Sequence, residues 1–288
     1  MRILTIHERK PAPRSNPYLP ESLAHLYGGD LIFSSAPHGR PVIVGNFVQT
    51  LDGIISLKIP GQSGGGEISG FNEEDRFIMA LLRAGADAVM VASGTLHEDS
   101  GHVRIPGFIY PSLEPQWVDF RAHLGKRTQN PLNVIVSGSG NLNLAEKTFS
   151  TENLQTVVLT TRQGETRLQR IYGQQLSHLT DVRVLPGDDE LEPADIAAAL
   201  YVDYGVRILL HEGGAQFFSA FLRRRLIDDL FLTIAPQIVG SGTMRERPNF
   251  ADRASFGIQD ALWSRLLTVK VAEGGSHVYL HYRFGTSG

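Results

Sequence analysis

From Val42 onward, short apolar runs alternate with segments whose apolar residues recur at helical spacing. The runs Val42–Val48, Ala88–Ala92, Leu132–Val136, Thr156–Thr160, Val182–Leu185 and Arg207–His211 read as strands. Between them, Asn72–Ala84, Glu165–Leu179, Pro193–Tyr204 and Gln216–Arg225 read as helices. Strand followed by helix, repeated, predicts an α/β fold whose mostly parallel central sheet carries helices on both faces. The later part of the chain breaks this rhythm. Asp229–Ile234, Ser264–Ala272 and Ser276–Phe284 are strand-like with no helical pattern between them, and Glu273-Gly274-Gly275 offers a turn. An antiparallel hairpin is therefore expected at the sheet's end. Residues 1–40, rich in Pro, Ser and Gly around one short helical pattern at Glu21–Tyr27, are expected to precede or wrap a single domain over residues 41–288.

Composition narrows the function. A length of 288 residues, 42% hydrophobic and 20% charged, suits a globular protein with a sizeable core. The net charge of -3 argues against a nucleic-acid footprint, so any anion binding must be local. There is no cysteine, which excludes disulfides, a thiol nucleophile and cysteine-ligated zinc. No apolar run is long enough for a membrane helix, and the first ten residues are too polar for a secretory signal. A cytoplasmic protein without membrane or nucleic-acid partners is expected.

The candidate chemistry lies where strands end. Glu212-Gly213-Gly214 follows the strand ending at His211 and precedes a helix, so bare backbone N–H groups at Gly213, Gly214, Ala215, Gln216 and Phe217 suit a phosphate. An ordinary glycine turn is the alternative. Three other strands end in comparable loops, Ser93-Gly94-Thr95, Ser137-Gly138-Ser139-Gly140 and Thr160-Thr161-Arg162. In open α/β sheets ligands collect at that edge. Neither a Gly-x-Gly-x-x-Gly fingerprint nor a Walker lysine loop is present, and Gly240-Ser241-Gly242-Thr243 reads as a loop. Arg162 is placed to pair with a phosphate of such a ligand; a solvated arginine is the alternative. Thr95 and Asp99 also read as a capping pair at the start of a short helix. The spacing His97 to His102 is one residue too long for a zinc helix and is interrupted by Gly101. His277 and His281 are expected to share a solvent face of a strand, and Arg223-Arg224-Arg225 reads as a solvated helix end; no metal site is expected.

Thr50-Leu51-Asp52-Gly53, Leu82-Arg83-Ala84-Gly85-Ala86-Asp87-Ala88 through Ser93-Gly94-Thr95 with Asp99, His211-Glu212-Gly213-Gly214, and Leu226-Ile227-Asp228-Asp229 with Ala235-Pro236-Gln237-Ile238-Val239-Gly240 together resemble the reductase domain of riboflavin biosynthesis, a relative of dihydrofolate reductase. The resemblance runs from about Val42 to Phe284. It implies a dihydrofolate reductase-like three-layer fold and an NADPH-dependent reductase that delivers hydride to the ribosyl C1′ of an aminopyrimidine ribosyl 5′-phosphate. Position by position, it implies cofactor contacts at Ser69, Thr95, Asp99, Ser137 and the stretch from Gly214, and substrate contacts at Thr50, Arg83, Arg104 and Glu212. Segment His97–Pro106 departs from the family's Asp-Asp-Pro-x-Leu pattern. Asp52 is placed to orient substrate or assist proton delivery, and Glu212 to accept hydrogen bonds from the pyrimidine or ribose. The alternatives are an Asp-Gly turn for Asp52 and a surface helix-end arginine for Arg83. No deaminase half is expected, for want of cysteine. The same resemblance implies a homodimer, with Phe217–Phe221 as either contact or core. A dihydrofolate or pteridine reductase, and a nucleotide-binding module without turnover, are the competing functional readings.

Overall fold

The computed structural model describes residues 2–9, 17–187, 190–241 and 247–285. Its strands are β1 (Ile3–Glu8), β2 (Val42–Gln49), β3 (Ala88–Ala92), β4 (Leu132–Val136), β5 (Thr156–Thr160), β6 (Asp181–Val184), β7 (Ile208–His211), β8 (Asp229–Ile234), β9 (Ser264–Ala272) and β10 (Val278–Phe284). They form one ten-stranded sheet in the order β1-β9-β10-β8-β2-β7-β3-β4-β5-β6. From β8 through β6 every neighbouring pair is parallel, whereas β10, β9 and β1 are antiparallel additions. The parallel strands read as unbroken apolar runs because both their faces are covered. β3, for instance, has Ala88, Val89, Met90 and Val91 all fully buried.

One face packs against the helices Glu21–Tyr27, Glu73–Gly85 and Glu114–His123 through Leu23, Phe77, Leu81, Trp117 and Phe120. The other packs against Pro193–Val202 and Ala215–Arg223 through Ile196, Leu200, Phe218 and Phe221. The expected three-layer α/β arrangement with a terminal hairpin is thus present. Phe218 and Phe221 are core residues with no exposed surface.

Local signals explain the helix ends. The Asn72 side chain accepts from Asp75 N at 2.8 Å, and Glu73, Glu74 and Asp75 place acidic groups in that helix's first turn. The stretch expected as one helix over Glu165–Leu179 instead begins at Arg162, capped by Thr161, and ends at Gly173, whose φ of 54° only glycine adopts freely.

Three expectations are corrected. The segment before residue 41 does not merely precede the domain: β1 pairs with β9, and Leu19, Leu23, Leu31 and Phe33 enter the core. Lys270 of β9, itself buried, secures this segment by donating to Thr5 Oγ1 (2.7 Å) and the Gly28 carbonyl (3.0 Å), with its ammonium 4.2 Å from the Tyr27 ring centre. His281 does not face solvent; it is 2% exposed, stacks on Phe231 and lies 3.0 Å from Asp229 Oδ1, which Arg283 Nε also meets at 2.8 Å. The pairing compensates for burying a carboxylate within the sheet. Thr95 and Asp99 do not cap a helix start, since Ser93–Glu98 begins after Ala92 without a side-chain cap and Asp99 stands at its C-terminal end. Of the loop Gly240–Thr243, Gly242 and Thr243 lie outside the described residues.

Candidate active site

Because β8, β2, β7, β3, β4 and β5 are parallel neighbours, the loops following them share one edge of the sheet. The turn after β7 is bonded to the end of β3: Glu212 N donates to Met90 O (3.0 Å) and Ala92 N to Gly213 O (3.1 Å). Gly213 has a φ of 106°, and a Cβ on Gly214 would stand 3.1 Å from Thr95 Oγ1. The glycines therefore let the turn pass close over the Thr95 hydroxyl. The helix Ala215–Arg223 starts there, and its first returning bond is Phe218 N to Gly214 O at 2.9 Å. The N–H groups of Ala215, Gln216 and Phe217 thus point out of the helix end without intrahelical acceptors.

Behind this turn His211 is fully buried among Phe217, Phe218 and Phe221. Its Nδ1 accepts from Gly213 N at 3.2 Å, and burial pushes its pKa down to about 3, so it is a neutral prop for the turn. Sequence reasoning placed His211 only as a strand end and as the first residue of His211-Glu212-Gly213-Gly214, and so missed this role.

Two strands along, Ser137 at the end of β4 is buried, and its Oγ has no hydrogen-bond partner among the described residues. Thr160 Oγ1 donates to Ser137 O (2.6 Å) and Thr161 Oγ1 to Gly138 O (2.7 Å). A Cβ on Gly164 would fall 2.5 Å from Gly138 O, so the helix Arg162–Tyr172 can press against this loop only through a glycine. Arg162, at the first position of that helix, has 77% of its side chain exposed and pairs with Glu165. Unpaired main-chain donors at β7, the Thr95 hydroxyl at β3 and the orphaned Ser137 hydroxyl at β4 fit a ligand carrying phosphate and hydroxyl oxygens.

A charged cluster adjoins this rim. Arg83, 2% exposed, meets Glu212 edge to edge: Nε donates to Oε1 at 2.9 Å and Nη2 to Oε2 at 2.8 Å. Arg83 is therefore no surface arginine. His102 Nε2 lies 3.0 Å from Arg83 Nη2, and Arg83 Nη1 is buried without a partner among the described residues. Arg104 is also buried, and burial pushes its pKa down to about 10. Its Nη1 reaches the His102 carbonyl at 3.3 Å and its Nη2 lies 3.9 Å from Asp99 Oδ2. Asn133 of β4 fixes its backbone, accepting from Arg104 N and donating to Arg104 O. Asp99 is raised above the usual carboxylate range by burial, opposed by Arg104.

The remaining residues stand on the β2 and β8 side. Thr50, fully buried, donates through Oγ1 to Asp52 Oδ1 at 2.5 Å and accepts from Ile54 N. Asp52 is exposed and accepts further from Gly240 N at 2.6 Å. The Thr50 hydroxyl, with those backbone donors, holds its carboxyl below the ordinary range, so it is ionised. Ser69, buried at the end of the short helix Gly65–Ser69, has its carbonyl 2.9 Å from His277 Nε2. The structure thus gathers Thr95, Asp99, Arg83, Arg104, Glu212 and the 213–217 turn, places Ser137 and Arg162 along the rim, and sets Thr50, Asp52 and Ser69 on its other flank.

A family model of the RibD C-terminal domain matches residues 41–254. The protein named 2,5-diamino-6-ribosylamino-4(3H)-pyrimidinone 5′-phosphate reductase from Archaeoglobus fulgidus is 27% identical over 219 residues, which are 75% of this chain and 89% of that one. The like-named protein of Aquifex aeolicus is 27% identical over 202 residues, 70% of this chain and 79% of its own. Among solved structures, a pyrimidine reductase-like protein from Corynebacterium diphtheriae superposes with a TM-score of 0.65 at 21% identity, over 86% of this chain and 93% of its own. The riboflavin biosynthesis reductase Rib7 of Saccharomyces cerevisiae gives 0.57 at 17% identity, over 93% and 96%. These structures share the fold.

Proposed function

We propose, from the premise that this chain belongs to the family of RibD C-terminal domains, that it is an NADPH-dependent reductase acting on an aminopyrimidine ribosyl 5′-phosphate, with the ribitylamino compound as product. The observation that carries this reading is the buried Arg83–Glu212 pair lying directly beside a donor-rich rim: a recognition pair for a polar substrate next to a cradle for a dinucleotide. The relatives' names point to the same substrate class.

When bound, NADPH supplies the hydride that reduces C1′ as the sugar ring opens. On this chain the N–H groups of 215–217 and the glycine turn would hold its pyrophosphate, with Thr95 and Ser137 as hydroxyl contacts and Ser69 on the flank. From β7 to β5 the rim spans three strand spacings, roughly 14 Å, which puts Arg162 at the far end, where it would meet the 2′-phosphate.

Glu212 accepts hydrogen bonds from the pyrimidine or ribose with the lone pairs that Arg83 leaves open, and Arg83 Nη1 donates to the same ligand. Arg104, buried with its guanidinium making only long contacts among the described residues, faces the substrate phosphate. Ring opening leaves a negative oxygen that must take up a proton. Asp52 is ionised, so it serves as an acceptor that orders the sugar hydroxyls, with Thr50, and aligns a solvent-derived proton rather than donating its own. Positioning of this kind provides most of the rate enhancement where a cofactor carries the reaction. The same reading makes the protein a cytoplasmic homodimer, which sedimentation of the purified chain checks.

The test follows NADPH oxidation with aminopyrimidine ribosyl 5′-phosphates and with dihydrofolate in parallel. Turnover of the first class alone is expected. Oxidation with dihydrofolate alone, or with neither, overturns the assignment.

A further inference from the structure

We propose that His102 is a positioning residue for the reduction: it takes the Nη2 donor of Arg83 that Glu212 leaves over, so that among the described residues only Nη1 of the guanidinium stays open to the substrate. The inference rests on the reading of Arg83 as a substrate contact.

The donor count carries it. A guanidinium has five N–H groups, one on Nε and two on each terminal nitrogen. Glu212 takes the Nε donor at 2.9 Å and one Nη2 donor at 2.8 Å. The second Nη2 donor points at His102 Nε2, 3.0 Å away. Only the two donors of Nη1 are left, and that nitrogen is buried without a partner among the described residues.

This arrangement requires Nε2 to be an acceptor. The other ring nitrogen, Nδ1, lies 3.3 Å from Asp99 Oδ2, so the ring proton sits there and is donated to the carboxylate. Burial and the cations around the ring keep it neutral. Burial disfavours the imidazolium first, then Arg83 and Arg76 from the helix Glu73–Gly85 and Arg104 from the same loop, and together they push its pKa down to about 2. Among the described residues, Asp99, at the end of the helix Ser93–Glu98, is the carboxylate facing it, at Nδ1. The Phe108 ring packs against the imidazole at 4.9 Å, tilted by 58°. His102 therefore accepts from Arg83 throughout the working pH range, and Asp99 acts on Arg83 through it by fixing the tautomer.

The test compares His102→Leu, which removes both contacts, with His102→Gln, whose carbonyl can accept from Arg83 while its amide donates to Asp99. In His102→Leu the KM for the aminopyrimidine ribosyl phosphate is expected to rise about tenfold, the scale of one hydrogen bond to a charged group, with the KM for NADPH within about twofold. His102→Gln is expected to recover most of that loss. An unchanged pyrimidine KM in His102→Leu, or equal losses for both ligands with no recovery in His102→Gln, overturns the proposal. Arg83→Ala runs alongside: if it leaves the pyrimidine KM unchanged, the reading of Arg83 itself fails, whereas an effect of Arg83→Ala without one of His102→Leu rejects His102 alone. Nitrogen NMR of the unsubstituted protein gives an answer independent of turnover and of variant folding. A neutral ring protonated on Nδ1 at pH 7 is expected, and an imidazolium or the opposite tautomer rejects the proposal.

Discussion

Arg83 and Glu212, 129 residues apart in the chain, close a two-point ion pair whose side chains are 2% and 8% exposed. One partner comes from a helix on one face of the sheet and the other from the turn after β7, so the pair also locks that helix to the rim. Such a pair is costly to break from one side, because the survivor is a buried, uncompensated charge.

Glu212→Ala is therefore expected to lower stability by about 3 kcal/mol and to abolish turnover. Glu212→Gln, which keeps one acceptor for Arg83, loses less stability but almost the same activity. Thermal melts and initial rates on both variants check this; equal melting points for Glu212→Ala and the parent chain reject it.

Gly164 and Gly94 make a matched pair of glycines. An added Cβ at 164 would lie 2.0 Å from Thr160 Oγ1, 2.5 Å from Gly138 O and 2.8 Å from Gly140 N, whereas nothing lies within 4 Å of one at 94. Gly164→Ala is expected to cost about 3 kcal/mol and to weaken NADPH binding by displacing the loop after Ser137. Gly94→Ala, inside the helix Ser93–Glu98, should be neutral or gain up to about 1 kcal/mol. Denaturant unfolding and a fluorescence titration with NADPH read both effects.

Arg162→Ala tests the cofactor preference. Its guanidinium is exposed and, among the described residues, tied only to Glu165 on its own helix, so its loss should leave the fold intact. The expected result is a rise of about tenfold in the KM for NADPH with that for NADH unchanged. An unaltered ratio of the two removes Arg162 from the site.

Lys270 predicts a pH dependence of stability. Burial, opposed by Glu8, pushes its pKa down to about 8 from an ordinary 10.5. Between those values the unfolded chain binds the proton that the folded chain has lost, so stability from this group rises with pH across that window, by about 2 kcal/mol. Lys270→Met is expected to remove the rise, whatever its effect at neutral pH. Unfolding midpoints measured from pH 7 to pH 10 decide, and an identical slope in the variant refutes the assignment.

What was legible in the sequence follows from how each part is buried. Ala88–Ala92, Leu132–Val136, Thr156–Thr160 and Asp229–Ile234 have the boundaries that their apolar runs indicate, because strands covered on both faces leave little room for polar positions. β1 was missed because Ile3–Glu8 is an edge strand: only Ile3 is fully buried, and its partner β9 is remote in sequence. The helix Glu114–His123 was missed for a different reason. Trp117, Phe120 and Arg121 are buried on it while Val118 is 37% exposed, so no clean apolar stripe marks it. At the site, the turn after β7 was legible as a turn because paired glycines follow an apolar run. His102 was not, since its partners Arg83 and Asp99 meet it only in the folded chain.

The pairing of Ile3 with Ala272 means that β1 leaves the ribosome long before β9, the strand it pairs with. The nascent chain can assemble β2 through β8 into a parallel half while β1 still lacks a neighbour, and β9 then arrives as the template to which it adds. The antiparallel border of the sheet is on this account a separate cooperative unit, completed after the half that carries the ligand rim.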